Sequence, residues 1–113
     1  MKKKKKKSKN TKKWLLKEEK RLRNKLDKQW ALDVKERDKH CLICNSTNFL
    51  NAHHIIPREI KKTRHNLDNG LTLCRLHHKF SLEISAHRNP FVLYLWLMMN
   101  RKEQIGRLVG GNF

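Results

Sequence analysis

The sequence predicts a small α+β domain in which helices flank a pair of short strands and a bound metal staples the parts together. Three observations predict it. Leu15, Leu22, Leu26, Trp30 and Val34 recur at intervals of seven and four among lysines and glutamates, one apolar stripe on a helix over residues 14 to 38. Two short strand candidates, residues 48 to 56 and 70 to 73, bracket a long basic loop over residues 57 to 69. Cys41-x-x-Cys44 and Cys74-x-x-His77 repeat the same two-ligand spacing.

The cysteines come first in the functional reading. There are three, so they cannot all pair with one another as disulfides. The chain opens on lysines and not on an apolar leader, which points to a reducing, intracellular setting, and there clustered cysteines bind metal more often than they cross-link. Zinc takes four tetrahedral ligands from thiolate and imidazole, which Cys41, Cys44, Cys74 and His77 can supply. Three buried, apolar cysteines would have to produce this spacing twice by coincidence. Size adds a reason. About 100 residues lie beyond the lysine-rich start, and a core that small is marginal without a staple.

A second group of ligands remains. With His77 assigned to zinc, His53, His54 and His78 are left, and the zinc knuckle fixes the position of His78 beside it. Two imidazoles with open positions suit a divalent metal, and a third beside them suits a base. A formal charge of +18 makes nucleic acid the natural partner of such chemistry.

The order Cys41-x-x-Cys44, then Ala52-His53-His54-Ile55-x-Pro57, then Asn69-Gly70-Leu71-Thr72-Leu73-Cys74-x-x-His77-His78 resembles the HNH endonucleases. The likeness covers about residues 30 to 85 and includes the stretch from Trp30 to Asp38 that leads into the first knuckle. It implies a ββα-metal core. It also implies hydrolysis of DNA phosphodiester bonds to 5′-phosphate and 3′-hydroxyl ends. By the same resemblance His53 and His78 would hold the catalytic divalent metal (Mg²⁺, Mn²⁺, Ni²⁺, Co²⁺ or Zn²⁺) and His54 would be the general base. Asn69 would hold the base-bearing loop or assist the metal. His77 stands where such knuckles usually carry a second cysteine, and imidazole is an ordinary zinc ligand. Asn69-Gly70 is also a strong turn dipeptide, so closing the hairpin is its other reading. His53 and His54 are neighbours, and neighbours in a regular strand face opposite ways, so a shared site requires the strand to end or bulge there.

The remaining sequence supplies the setting. Residues 1 to 13, mostly lysine, read as a disordered, phosphate-binding tail, leaving a single domain over residues 14 to 113. Arg58, Lys61, Lys62 and Arg64 in the basic loop, with Arg75 and Lys79, are candidate nucleic-acid contacts. From Cys74 to about Ser85 the pattern is helical, with Leu76, Phe80 and Ile84 spaced by four, and Asn89-Pro90 breaks it. The apolar run Phe91 to Met99 is too short to span a membrane and reads as a helix that closes the core or meets a partner, either a second copy or a phage packaging protein. Gly106, Gly110 and Gly111 predict a weakly structured end. Double-stranded DNA is the expected partner, inside a bacterial or phage-infected cell. The rival reading is a non-catalytic, zinc-stapled module that binds DNA or RNA.

Overall fold

The computed structural model describes residues 8 to 110. Its first element is α1 (Lys9–Asp38), whose Ser8 cap accepts a hydrogen bond from the Thr11 amide. The helix stops where Lys39 turns left-handed at φ 65° and donates its amide to the Lys35 carbonyl. The helix therefore begins before residue 14, and Lys9–Lys13 of the expected disordered tail are helical. Lysine is a good helix former, and a serine cap with a helix already running beyond it outweighs the mutual repulsion of the charges. The rest of that tail, residues 1 to 7, lies outside the described residues.

The apolar stripe of α1 is buried only at its C-terminal end, at Trp30 and Val34. Leu22 and Leu26 remain about half exposed, at 49% and 53%. The N-terminal half of the helix thus projects from the core, and the molecule is 65 Å long but only 33 × 24 Å across.

Strands β1 (Asn51–His54) and β2 (Gly70–Leu73) pair antiparallel with His53 opposite Leu71 and His54 opposite Gly70. The first strand is shorter than the sequence suggests, because Phe49 sits left-handed at φ 52° and Pro57 follows soon after. A 3-10 turn, Leu67–Asn69, delivers the chain into β2. Asn69-Gly70 is not a hairpin turn: Gly70 has φ −124° and already belongs to the strand. Its need for glycine is close approach. A Cβ there would lie 2.7 Å from Trp30 Cζ2 and nearer still to Val34 Cγ2. Gly70→Ala should therefore push α1 off the sheet and cost about 1–3 kcal/mol, the usual range for overpacking. Urea unfolding would measure it, and an unchanged midpoint would mean that α1 is not held that closely.

The expected helix from Cys74 to Ser85 is replaced by a single π turn, Leu76–Phe80, that ends when Ser81 donates its amide to the Leu76 carbonyl. Leu76 and Phe80 are exposed, so no apolar face rewards continuing the helix. The chain then doubles back, and the amides of Ala86 and His87 bond to the carbonyls of His77 and His78. Helix α2 (Pro90–Asn100) is capped by Asn89 with proline in its first turn. Helix α3 (Lys102–Leu108) contains Gly106, so the expected fraying is not seen at that residue, and Gly111 lies outside the described residues. Ile105 and Leu108 are buried, and Gln104 donates to the carbonyls of Asp68 and Gly70, which ties α3 to the turn before β2. The core comprises Leu71 and Leu73 of β2, Leu93 and Leu97 of α2, Ile105, Cys41 and Cys74. The fold is α+β as expected, a two-stranded sheet covered by helices. No helix among the described residues is long and apolar enough to cross a membrane.

Candidate active site

The first cluster is Cys41, Cys44, Cys74 and His77, whose ligand atoms all lie within 4.8 Å of one another. Cys44 Sγ is 3.7 Å from Cys74 Sγ, and His77 Nδ1 is 3.7 Å from Cys41 Sγ and 3.3 Å from Cys74 Sγ. A tetrahedron built on Zn–S bonds of 2.3 Å has edges of roughly 3.8 Å, and edges to nitrogen of roughly 3.6 Å. The residues present fit structural zinc. The knuckle is shaped by Asn45, left-handed at φ 63°, whose amide bonds to the Cys41 carbonyl. The Leu42 amide joins it to Thr72 of β2.

The second cluster is His53, His78 and His87, again with ligand atoms within 4.8 Å. The Nε2 atoms of His78 and His87 are 3.2 Å apart, and the His53 ring centroid lies 5.3 Å from that of His78 and 5.7 Å from that of His87. Burial, then the charges of the neighbouring rings, pushes His53 down to about 4. Burial likewise pushes His78 down to about 4, aided by His87 and Lys79. At neutral pH both rings are uncharged and have a lone pair to offer a cation. His78 Nδ1 is buried without a hydrogen-bond partner, so that ring is satisfied only on the edge facing His87. A set of imidazoles without a carboxylate suits Mn²⁺, Co²⁺, Ni²⁺ or Zn²⁺ better than Mg²⁺ alone.

His54 lies on the other face of β1, as strand alternation requires, at the strand's last residue. Its ring stacks on Trp30 of α1 with centroids 3.8 Å apart and planes 7° from parallel. Its Nε2 is 2.9 Å from the Arg64 carbonyl oxygen. A carbonyl can only accept, so Nε2 carries the proton and Nδ1 keeps its lone pair. Burial lowers the pKa of His54 below 6.5, against the opposing pull of that carbonyl.

Residues 41–80 match a family model described as HNH endonuclease. Over these residues the chain is similar to the HNH endonucleases. Comparison with curated proteins and with solved structures gave no match.

The matched segment holds both knuckles, both strands and the pair His53-His54, but it stops short of His87. His87 is also the residue the sequence reading missed. Its only signal is a histidine just before Asn89-Pro90, and what places it is the chain reversal that bonds its amide to His78.

Two of the sequence-assigned site residues are engaged within the fold. Asn69 is fully buried, and its amide is consumed: Oδ1 accepts from the Ile56 amide at 2.6 Å, while Nδ2 donates to the carbonyls of Ile56 and Thr63. It holds the loop after β1 in place, and it has no free atom to offer a substrate. Arg64 is not a free phosphate contact. Its guanidinium is paired with both oxygens of Asp27 on α1, at 2.8 and 2.7 Å, and His65 Nε2 reaches Oδ1 at 2.7 Å. The Arg64 hydrogen bond keeps the Asp27 carboxyl well below the usual carboxylate range. Asp27 and Trp30, one turn apart on α1, thus brace the backbone that orients His54 and the face on which it stacks. Arg58, Lys61, Lys62, Arg75 and Lys79 are exposed, and none forms an ion pair among the described residues.

Proposed function

We propose that the protein is a metal-dependent DNA endonuclease. The observation that carries this reading is the convergence of three imidazoles, His53, His78 and His87, with His54 next to His53 in the chain at the end of β1, in a strongly basic protein. The exposed cations of the loop after β1 and of the π turn draw the DNA backbone to this face. A divalent cation bound by His53, His78 and His87 would supply charge stabilisation at the scissile phosphate and at the departing 3′ oxygen. His54 accepts a proton from the attacking water at Nδ1, because its other nitrogen is committed to the Arg64 carbonyl. The stack on Trp30 fixes the plane of the ring. The leaving group is the 3′ oxygen, which yields 5′-phosphate and 3′-hydroxyl ends.

Supercoiled plasmid incubated with the protein and Mn²⁺ or Ni²⁺ should be converted to nicked or linear forms that DNA ligase can reseal. Binding without any cutting under each divalent metal would favour the non-catalytic module instead.

The pH dependence has a defined sign. Burial lowers the pKa of His54 from 6.5, so the ring remains an unprotonated base as pH falls to that value. The acid limb of the rate should therefore lie below about pH 6.5, the ordinary imidazole value. A limb at or above it would mean that His54 is not the group that titrates.

A further inference from the structure

A cleft of about 470 Å³ opens beside the imidazole cluster, lined by Phe49, Arg75, His78, Lys79 and Phe80 among others. Two of its walls are aromatic rings that the fold does not use. Phe49 is 75% exposed and Phe80 is 51% exposed, and neither belongs to the core. Phe49 is also left-handed at φ 52°, a conformation that a bulky side chain adopts at a cost and that burial does not repay here. Arg75 stands 5.5 Å from the centre of the Phe80 ring. Two exposed rings, a guanidinium over one of them and a lysine beside them form a surface for a flat, anion-bearing group. A phosphate alone would need the cations but not the rings. A small apolar ligand would need the rings but not the cations.

We propose that this cleft stacks an unpaired DNA base adjacent to the cleaved phosphate, so that the preferred substrate is DNA with a bulged or single-stranded nucleotide. The inference rests on the endonuclease reading and names its substrate class. His78 is shared by the cleft and the imidazole cluster, which puts the stacked base next to the reacting phosphate. A fully paired duplex keeps its bases inside the stack and offers the two rings nothing to hold.

The test uses the full chain and two DNA duplexes, one fully paired and one with a single bulged 2-aminopurine. The protein should bind the bulged duplex roughly tenfold more tightly, the usual scale for stacking one base, and should quench the 2-aminopurine fluorescence. Phe49→Ala should lose both the preference and the quench with an unchanged circular dichroism spectrum. Phe49→Tyr, which keeps a ring, should retain them. Equal affinity for the two duplexes, or a preference that survives Phe49→Ala, overturns the inference. Failure of the parent protein to cut any DNA sinks the endonuclease reading alone, because the binding and quenching are read without cleavage.

Discussion

His54→Ala is expected to slow DNA cleavage about 10²–10⁴-fold, the range that a general base contributes. His53, His78 and His87 are untouched by the change, so metal content and DNA affinity should hold. The substitution does remove the ring that stacks on Trp30 and leaves the Arg64 carbonyl without its donor. A stability loss of about 1–3 kcal/mol is therefore expected as well, and rates must be compared well below the unfolding midpoint. Added imidazole separates the two effects. It can enter the space left by the ring and restore part of the rate if the missing function is a base. A variant that keeps more than about a tenth of the activity would show that His54 is not that base.

The sequence made the two knuckles and the His53-His54 pair readable because each is a local spacing. Two ligands three residues apart lie on one turn, and the pair of turns needs only to meet. What could not be read depends on contacts without periodicity. His87 reaches the cluster because the chain reverses after the π turn, and the apolar spacing of Leu76, Phe80 and Ile84 pointed to a helix instead. Arg64 has the charge of a phosphate contact, and only folding reveals that Asp27, 37 positions away, neutralises it. Asn69-Gly70 has the composition of a turn, yet the glycine is required by the nearness of Trp30 and Val34. The amphipathic stripe of α1 was visible, but its exposed half shows that a periodic face does not by itself say how much of it will find a partner. The sequence allowed Asn69 to hold the loop, assist the metal or close the hairpin, and its three hydrogen bonds go to the backbone of Ile56 and Thr63 in the loop after β1.

Loss of a zinc ligand should be the most damaging change to the fold. Cys41 and Cys74 are buried beside Leu71, Leu73 and Leu93, and the knuckle they build joins the 41–44 turn to β2 and the π turn. Structural zinc contributes about 10–16 kcal/mol of apparent binding free energy near neutral pH, more than the whole stability of most small domains. Cys41→Ser or Cys74→Ser should therefore leave the chain largely unfolded, and a strong chelator should unfold the parent protein. His87→Ala makes the opposite split. His87 is largely exposed, and its loss removes one ligand from the imidazole cluster and none from the sulfur cluster. Its thermal midpoint and its content of about one tightly held zinc per chain should match the parent, while cleavage should require more added metal. Elemental analysis and thermal unfolding of the two kinds of variant would place the two metals. A well-folded Cys74→Ser protein without zinc would sink the structural assignment. Unchanged metal dependence in His87→Ala would remove that residue from the second cluster.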